Sequence, residues 1–353
     1  MLGFDICEYS SWERIKRSGL PVVIYGMGNG ADKVLDEFEK LEVPVKGVTA
    51  GDEFVRGQSF RGFTVKKLRE FSGDFILAVA FGSGRPEVIE HIKELSNKYN
   101  VIFPVVPVYG NEIFNRKFLE NNINEISLAY DCFGEKSKEI FAGCINFIFG
   151  GDLKDLLKIT TSKNEIFESF LHLGSKESYL DLGAYKGDTV EEFLKYTGGI
   201  YNRIIAVEPD EKNYKKLVEN CNCLKNFTPV NKAISGSTGE VLFSESAGRN
   251  SSVSSKGKAR ECVSVDDLCG EETITYLKAD VEGEEMNMLT GAGNTIARCR
   301  PKLNIALYHR SADIFRIPLA VKKLNPDYLL EIRHHPYFPC WDTNLYAVDK
   351  NLI

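Results

Sequence analysis

Two hydrophobic rhythms alternate along this chain. Short apolar runs recur between stretches in which apolar side chains return every third or fourth residue. The runs read as strands buried on both faces, and the periodic stretches as amphipathic helices. PVVIYG, from Pro21 to Gly26, opens the series and ends in glycines. Val34, Leu35, Phe38 and Leu41 then mark one helical face. VPVKGV around Val45 reads as a second strand and FILAVAFGSG, from Phe75, as a third. A helix with Val88, Ile89, Ile92 and Leu95 at helical spacing follows, and VIFPVV supplies a fourth strand. Strands separated by single helices imply right-handed βαβ crossovers and a parallel sheet. This first domain is placed at residues 1–110.

From 111 to 176 the strand signals stop. Ile113, Phe114, Phe118 and Leu119, then Ile126, Leu128, Ala129 and Phe133, then Ile140, Phe141, Ile145 and Phe149 recur at helical spacing. The segment reads as a helical connector packed on a second sheet. That sheet opens at SYLDLGAYKGD, Ser178 to Asp188, and continues through the strands RIIAVEPD and FTPVNKAIS. VLFSES and ECVSV, separated by SAGRNSSVSSKGKA, suggest a β-hairpin with a polar tip. TYLKADVEG and KLNIALYHR are further buried strands; YLLEIRHH and TNLYAV have no helix between them and read as an antiparallel pair. His334 and His335 are neighbours in such a strand, so one is expected to face solvent. The second domain is placed at residues 177–353.

Composition narrows the class without naming it. Hydrophobic residues make up 43% and charged residues 27%, which excludes disordered, collagenous and coiled-coil chains. A net charge of −6 with no Lys/Arg-rich run argues against a nucleic-acid partner. No apolar run is long enough for a membrane span, and the first residues carry no apolar leader. Nine scattered cysteines without a CxxC pair fit free thiols in a reducing cytoplasm. No His-x-x-x-His or carboxylate set at ligand spacing occurs, so no metal is expected. Assembly into a homo-oligomer stays open.

The candidate chemistry lies between Tyr179 and Asp210. Asp181 and Gly183 sit at the end of a buried strand and Gly187 opens the helix after it, where free N–H groups point outward. Glu208 ends the next strand, 25 residues after Gly183, the position from which a carboxylate binds both hydroxyls of a ribose. An adenosine-containing ligand follows from that spacing. A plainer reading is that the glycines only let strand and helix pack. Gly26-Met27-Gly28-Asn29-Gly30 also lies between a strand and a helix, but the following strand ends in VTAGDE with Asp52 as its nearest acid. That loop reads as scaffold.

Asp181-Leu182-Gly183-Ala184-x-x-Gly187-Asp188, Ala206-Val207-Glu208-Pro209-Asp210 with the Asn213-Tyr214-x-x-Leu217 helix, and Leu277-Lys278-Ala279-Asp280-Val281-Glu282-Gly283-Glu284-Glu285 together resemble the FkbM-type family of S-adenosylmethionine-dependent methyltransferases. The likeness runs from about Ser175 to the C-terminus and takes in Val265-Asp266-Asp267-Leu268, Tyr308-His309-Arg310 and Leu345-Tyr346-Ala347-Val348. Together with the alternating strands and helices of the first domain, it implies an α/β protein with two Rossmann-like doubly wound sheets joined by a helical connector, the second a class I methyltransferase sheet ending in an antiparallel hairpin. It also implies roles. Gly183, Ala184 and Gly187 would border the methionine part of S-adenosylmethionine, and Asp181 would hold the loop or the sulfonium end. Glu208, followed by Pro209, would bind the ribose, and Asn231 and Ala233 would flank the adenine.

The implied reaction is methyl transfer to a hydroxyl of a small molecule or glycan, which requires a base for the acceptor's proton. Asp280, His309 and Glu282 are the candidates. Asp280 and His309 end strands and face the crevice; Glu282 enters a helix whose free N–H groups would occupy its carboxylate. Two other readings remain: a nucleotide-dependent oxidoreductase or sugar-nucleotide enzyme centred on the N-terminal glycines, and a protein that only binds nucleotides.

Overall fold

Val22, Val23, Ile24 and Tyr25 are all buried, as a strand covered on both faces requires, and around them the first of two units is built. The computed structural model describes residues 2–244, 252–253 and 258–352. Its first unit comprises Met1–Asp131, Glu135–Thr161 and His334–Thr343. Helix α1 (Ser11–Ser18) starts at a capping box of Ser10 and Glu13 and leads into β1 (Val22–Tyr25). Helix α2 (Asn29–Lys40) buries Ala31, Val34, Leu35 and Phe38. Strands β2 (Val45–Thr49), β3 (Ser59–Phe60), β4 (Phe63–Lys66) and β5 (Ile76–Val79), helix α3 (Pro86–Lys98) and strand β6 (Asn100–Ile102) complete a sheet of order β3-β4-β2-β1-β5-β6. Strands β1, β2, β5 and β6 are parallel, as expected, and β4 joins them in parallel beside β2. The β3–β4 pair was not expected; only Val65 of its six residues is buried, so no apolar run marked it.

Helices α4 (Arg116–Asp131), α5 (Glu135–Gly150) and α6 (Leu153–Ile159) occupy the predicted helical segment. They belong to the first unit. Phe147 of α5 lies against Phe103 at 5.4 Å, and Phe141 meets Phe4 edge-on at 6.2 Å. Helix α5 buries side chains around most of its circumference, so periodicity could not say which sheet it serves. His334 and His335 are both buried, against expectation. The strand ends at His334, so alternation stops there: His334 Nδ1 meets Thr343 Oγ1 at 2.9 Å and His335 Nδ1 meets the Thr161 carbonyl at 3.1 Å. Burial lowers the His334 pKa to about 3 and keeps the ring neutral.

The second unit holds Cys132–Gly134, Ser162–Arg333 and Asn344–Ile353. After α7 (Lys163–Ile166) come β7 (Ser178–Leu182), α8 (Asp188–Thr197), β8 (Arg203–Val207), α9 (Glu211–Asn220) and β9 (Phe227–Val230). The predicted strand FTPVNKAIS breaks at Asn231 and Lys232, and β10 (Ala233–Ile234) turns into a small sheet with β11 (Gly239–Ser244), β12 (Ser252–Val253) and β13 (Lys258–Val263). Strands β11 and β13 form the expected antiparallel hairpin; its polar tip, at 245–251 and 254–257, lies outside the described residues.

The chain returns through α10 (Val265–Cys269) to β14 (Tyr276–Ala279), α11 (Glu285–Thr290), α12 (Gly293–Cys299), β15 (Lys302–Ala306), α13 (Asp313–Leu324), β16 (Tyr328–His334) and β17 (Thr343–Asp349). The main sheet runs β16-β17-β15-β14-β7-β8-β9, parallel from β15 to β9, with β17 antiparallel to β15. Strand order reverses direction of travel at β7, so the crevice beyond the ends of β7 and β14 is where such a sheet takes a ligand. Among the described residues no helix is long and apolar enough to cross a membrane.

Candidate functional site

Strand β7 ends at Leu182, and the next five residues turn the chain into α8. Gly183 takes φ 81° there, and a Cβ at this position would overlap the carbonyl oxygen of Asp280 at the end of β14. Glycine therefore permits the close approach of two strand ends. Gly187, φ 95°, faces Cys221, whose Sγ would lie 2.9 Å from a Cβ there. The amides of Gly183 and Ala184 both donate to the Val207 carbonyl at 3.0 Å. Tyr185 has φ 48°, a left-handed conformation uncommon for a side chain of its size, and its amide donates to Glu208 Oε2 at 2.9 Å. Gly187 caps α8 without a side-chain hydrogen bond, which leaves the helix N-terminus open.

Glu208 is buried, and its other oxygen accepts the Asp210 amide at 2.9 Å. Burial pushes its pKa up to about 7, against the two amides that favour the carboxylate. Asn231 Nδ2 donates to the carbonyls of Glu208 at 2.8 Å and Pro209 at 3.2 Å, which ties the end of β9 to the same loop. Ala233 is buried in a small apolar cluster with Cys262 and Val241.

Asp181 is fully buried and takes a hydrogen bond from Thr189 in the first turn of α8. Its other oxygen faces Lys278 Nζ at 3.4 Å, and the ammonium donates to the Gly183 carbonyl at 2.9 Å. Burial disfavours the Lys278 charge, but Asp181, Asp280 and Asp188 outweigh it and hold its pKa above the ordinary lysine value. Asp181 and Lys278 thus brace the loop from beneath. Lys278 was not singled out in the sequence, because one lysine inside an apolar strand carries no periodic signal.

At the ends of β14 and β15 the three base candidates come together. His309 is buried, and its Nε2 stands 3.3 Å from Asp280 Oδ1 and 3.3 Å from Glu282 Oε2. Its Nδ1 lies 2.8 Å from Glu285 Oε1. Burial would keep this imidazole neutral, but Glu285, Glu282 and Asp280 lift its pKa well above the ordinary value. Glu282 does not serve the helix start. It sits in the turn before α11 with φ 57°, and it is Glu285 that accepts the Val281 amide, at 2.9 Å. The Tyr308 hydroxyl reaches both Asp280 oxygens, at 3.1 and 3.2 Å. Behind Glu285, burial and then the Glu285 charge raise Asp313 to about 7. Glu285 escaped the sequence reading because helix-start glutamates are common; only its pairing across 24 residues sets it apart.

Residues 181–345 match the family model of the methyltransferase FkbM domain. The chain is also similar to the crystal structure of methyltransferase FkbM from Methylobacillus flagellatus KT, with a TM-score of 0.73, 18% identity, and coverage of 98% of this chain and 94% of that one. At that identity the likeness speaks for the fold alone. Aeropyrum pernix fibrillarin, solved with natively bound S-adenosyl-L-methionine, matches at TM-score 0.34 and 15% identity over 52% of this chain and 72% of that one. An rRNA methylase from Streptococcus thermophilus matches at TM-score 0.35 and 12% identity over 53% and 92%. Neither of these two partial likenesses bears on the argument. Among curated proteins, none matches the chain significantly. Residues 181–345, the stretch similar to the methyltransferase FkbM domain, carry the loop, Glu208 and the His309 cluster.

Proposed function

We propose that the second unit transfers a methyl group from S-adenosylmethionine to a hydroxyl of a small molecule or glycan. The observation that carries this reading is the contact between its two halves. The Gly183 loop, with Glu208 behind it, abuts the backbone of Asp280, whose side chain belongs to the cluster on His309. The loop fits the cofactor: Glu208 is fixed by two amides yet keeps lone pairs for ribose hydroxyls, and the α8 N-terminus is uncapped. Gly183, Ala184 and Gly187 would line the methionine part, with Asp181 holding the loop. Asn231 would border the adenine with Pro209, and Ala233 would close that side from within the core.

When bound, the sulfonium offers a methyl carbon whose bond to sulfur breaks as the acceptor oxygen bonds to it. The chain's own residues align the oxygen and take its proton. Asp280, about one-third exposed, is open to an acceptor and held by Tyr308 and His309, so the proton passes to its carboxylate. Glu282 and His309 keep that carboxylate in place. A screen of hydroxyl acceptors with methyl-labelled cofactor tests the reading, followed by single-turnover assays on Asp280→Asn. The variant is expected to bind cofactor normally and to transfer methyl about 10²–10⁴-fold more slowly. Transfer at the wild-type rate would take the proton away from Asp280. Failure of S-adenosylmethionine to bind the wild-type chain would overturn the whole reading.

A further inference from the structure

His309 has carboxylates on both sides of its ring. Glu285 Oε1 lies 2.8 Å from Nδ1, while Asp280 Oδ1 and Glu282 Oε2 each lie 3.3 Å from Nε2. A neutral imidazole carries one N–H and one bare lone pair, so it donates to one side and turns its lone pair on the other. With a proton on each nitrogen it donates to both. Burial sharpens the choice: His309 is 1% exposed and Glu285 fully buried, so water cannot stand in for a missing donor. Glu285 is itself held in place, because its Oε1 accepts the Val281 amide at 2.9 Å. Its Oε2 has no hydrogen-bond partner among the described residues, so the countercharge of the ring is what this buried carboxylate has instead. The other polar groups around the pair are accounted for. Arg310 donates to the Gly283 carbonyl at 2.7 Å and faces Glu284 at 3.4 Å, and Tyr308 donates to Asp280. Asp313 stands behind Glu285, raised to about 7 by burial and then by the Glu285 charge.

We propose that Glu285 is a positioning residue: through Nδ1 it fixes His309 as an imidazolium whose Nε2–H is shared by Asp280 and Glu282, so the ring is a donor and not the base. Burial opposes a charge on the ring, but Glu285, Glu282 and Asp280 outweigh it, in keeping with the geometry. Asp280 and Glu282 are each about one-third exposed and would repel one another without a common donor. The ring thus holds the exposed carboxylates from the buried side, and Glu285 holds the ring. This deepens the methyltransferase reading and rests on it for the use made of Asp280, which keeps lone pairs for the acceptor's proton.

The test follows the assigned ring nitrogens of His309 by NMR in the full chain without cofactor. At about pH 7.5, where an ordinary histidine is roughly nine-tenths neutral, both nitrogens are expected to show imidazolium shifts. A neutral ring at that pH overturns the proposal. Glu285→Gln keeps an acceptor at Nδ1 and removes the charge, so the ring should titrate at least about one pH unit lower. With a hydroxyl acceptor in hand, single-turnover transfer by this variant at pH 7.5 should be roughly tenfold slower or more, at unchanged cofactor affinity. Transfer should recover as pH falls through the variant's own ring pKa, because protonation restores the Nε2–H; damage to the fold alone would not return with that pH. A ring that titrates as in the wild type, transfer at the wild-type rate, or a loss equal at every pH overturns the proposal. Should thermal melting show that the variant does not fold, the wild-type ring still decides. The two readings fail separately, since the ring is read without cofactor. A neutral ring in a chain that transfers methyl sinks only this proposal, whereas failure to bind S-adenosylmethionine sinks methyl transfer and leaves the charge on His309 standing.

Discussion

The chain builds the same strand–glycine loop–helix opening twice, and the two copies differ at one decisive residue. After β1, the Gly26 amide donates to the Thr49 carbonyl at the end of β2, as the Gly183 amide donates to Val207 at the end of β8. In each loop a glycine packs against a neighbouring strand end: a Cβ on Gly30 would stand 2.7 Å from the Ala80 carbonyl oxygen, and one on Gly183 would overlap that of Asp280. The residue after the hydrogen-bonded strand end is Glu208 in the second unit and Ala50 in the first. Asp52, the acid the sequence offered, is half exposed and paired with Arg69 at 2.9 Å and Lys67 at 3.9 Å. Glycines in such a loop therefore report packing. The carboxylate beyond the second strand is what the proposed ribose site adds to that design.

The largest expected effect separates glycines within this shared design. Gly183→Ala forces a Cβ into backbone at positive φ, so urea unfolding should show a loss above about 4 kcal/mol. Gly28→Ala adds a Cβ into open space at φ −109° and should cost less than about 1 kcal/mol. Equal losses would mean the two loops are not under the constraints described. The same clash makes Gly183 substitutions a poor probe of cofactor binding, since the fold suffers first.

Which parts of this were legible follows from the range over which each signal acts. Parallel strands such as Val22–Tyr25 and Tyr276–Ala279 announce themselves because burial on both faces needs a continuous apolar run. Glu208 was legible because strand-end acids sit at a fixed distance from the loop. Glu285 and Lys278 were not: their roles come from partners in other strands, and nothing local marks them. Ala50 could be recognised as the counterpart of Glu208 only once hydrogen-bond register aligned the strand ends. Helix α5 carried a clear period but no statement of which sheet it covers, and the structure assigns it to the first unit.

A second pair of variants asks whether the acid decides binding. Glu208→Ala gives the second loop the residue that the first loop has at this point. Two ribose hydroxyls would lose their acceptor in a largely buried site, at about 1–3 kcal/mol, so calorimetry should show S-adenosylmethionine binding roughly 10- to 100-fold more weakly. Asp52→Ala should leave that affinity unchanged. Titration of the full chain with NAD(H) should show no saturable binding at sub-millimolar concentration, since Ala50 offers the ribose no carboxylate. A fragment of residues 1–110 would not serve, because α4, α5 and residues 334–343 pack within the same unit. Micromolar dinucleotide binding would show that the first loop works without the acid and would dissolve the contrast.

The smallest effect is a pH dependence belonging to the second loop. Glu208 titrates near 7 because burial disfavours its charge; the Asp210 carboxylate adds to that push, while Lys278 and the amides of Asp210 and Tyr185 oppose it. A carboxyl whose folded pKa is raised favours folding in its protonated form. Its contribution is complete below its ordinary value of 4.5 and fades as pH rises through about 7. Ribose hydroxyls donate to the ionised form, so cofactor binding should run the other way and strengthen across the same interval, by at most about tenfold per pH unit. Binding near neutrality should then release a fraction of a proton, visible as a calorimetric heat that changes with the ionisation enthalpy of the buffer. Glu208→Gln keeps the shape, removes the charge, and should flatten both the stability trend and the proton release. If the variant retains the wild-type proton release, the group that titrates on binding is not Glu208, and the difference between the two loops lies elsewhere than in their acids.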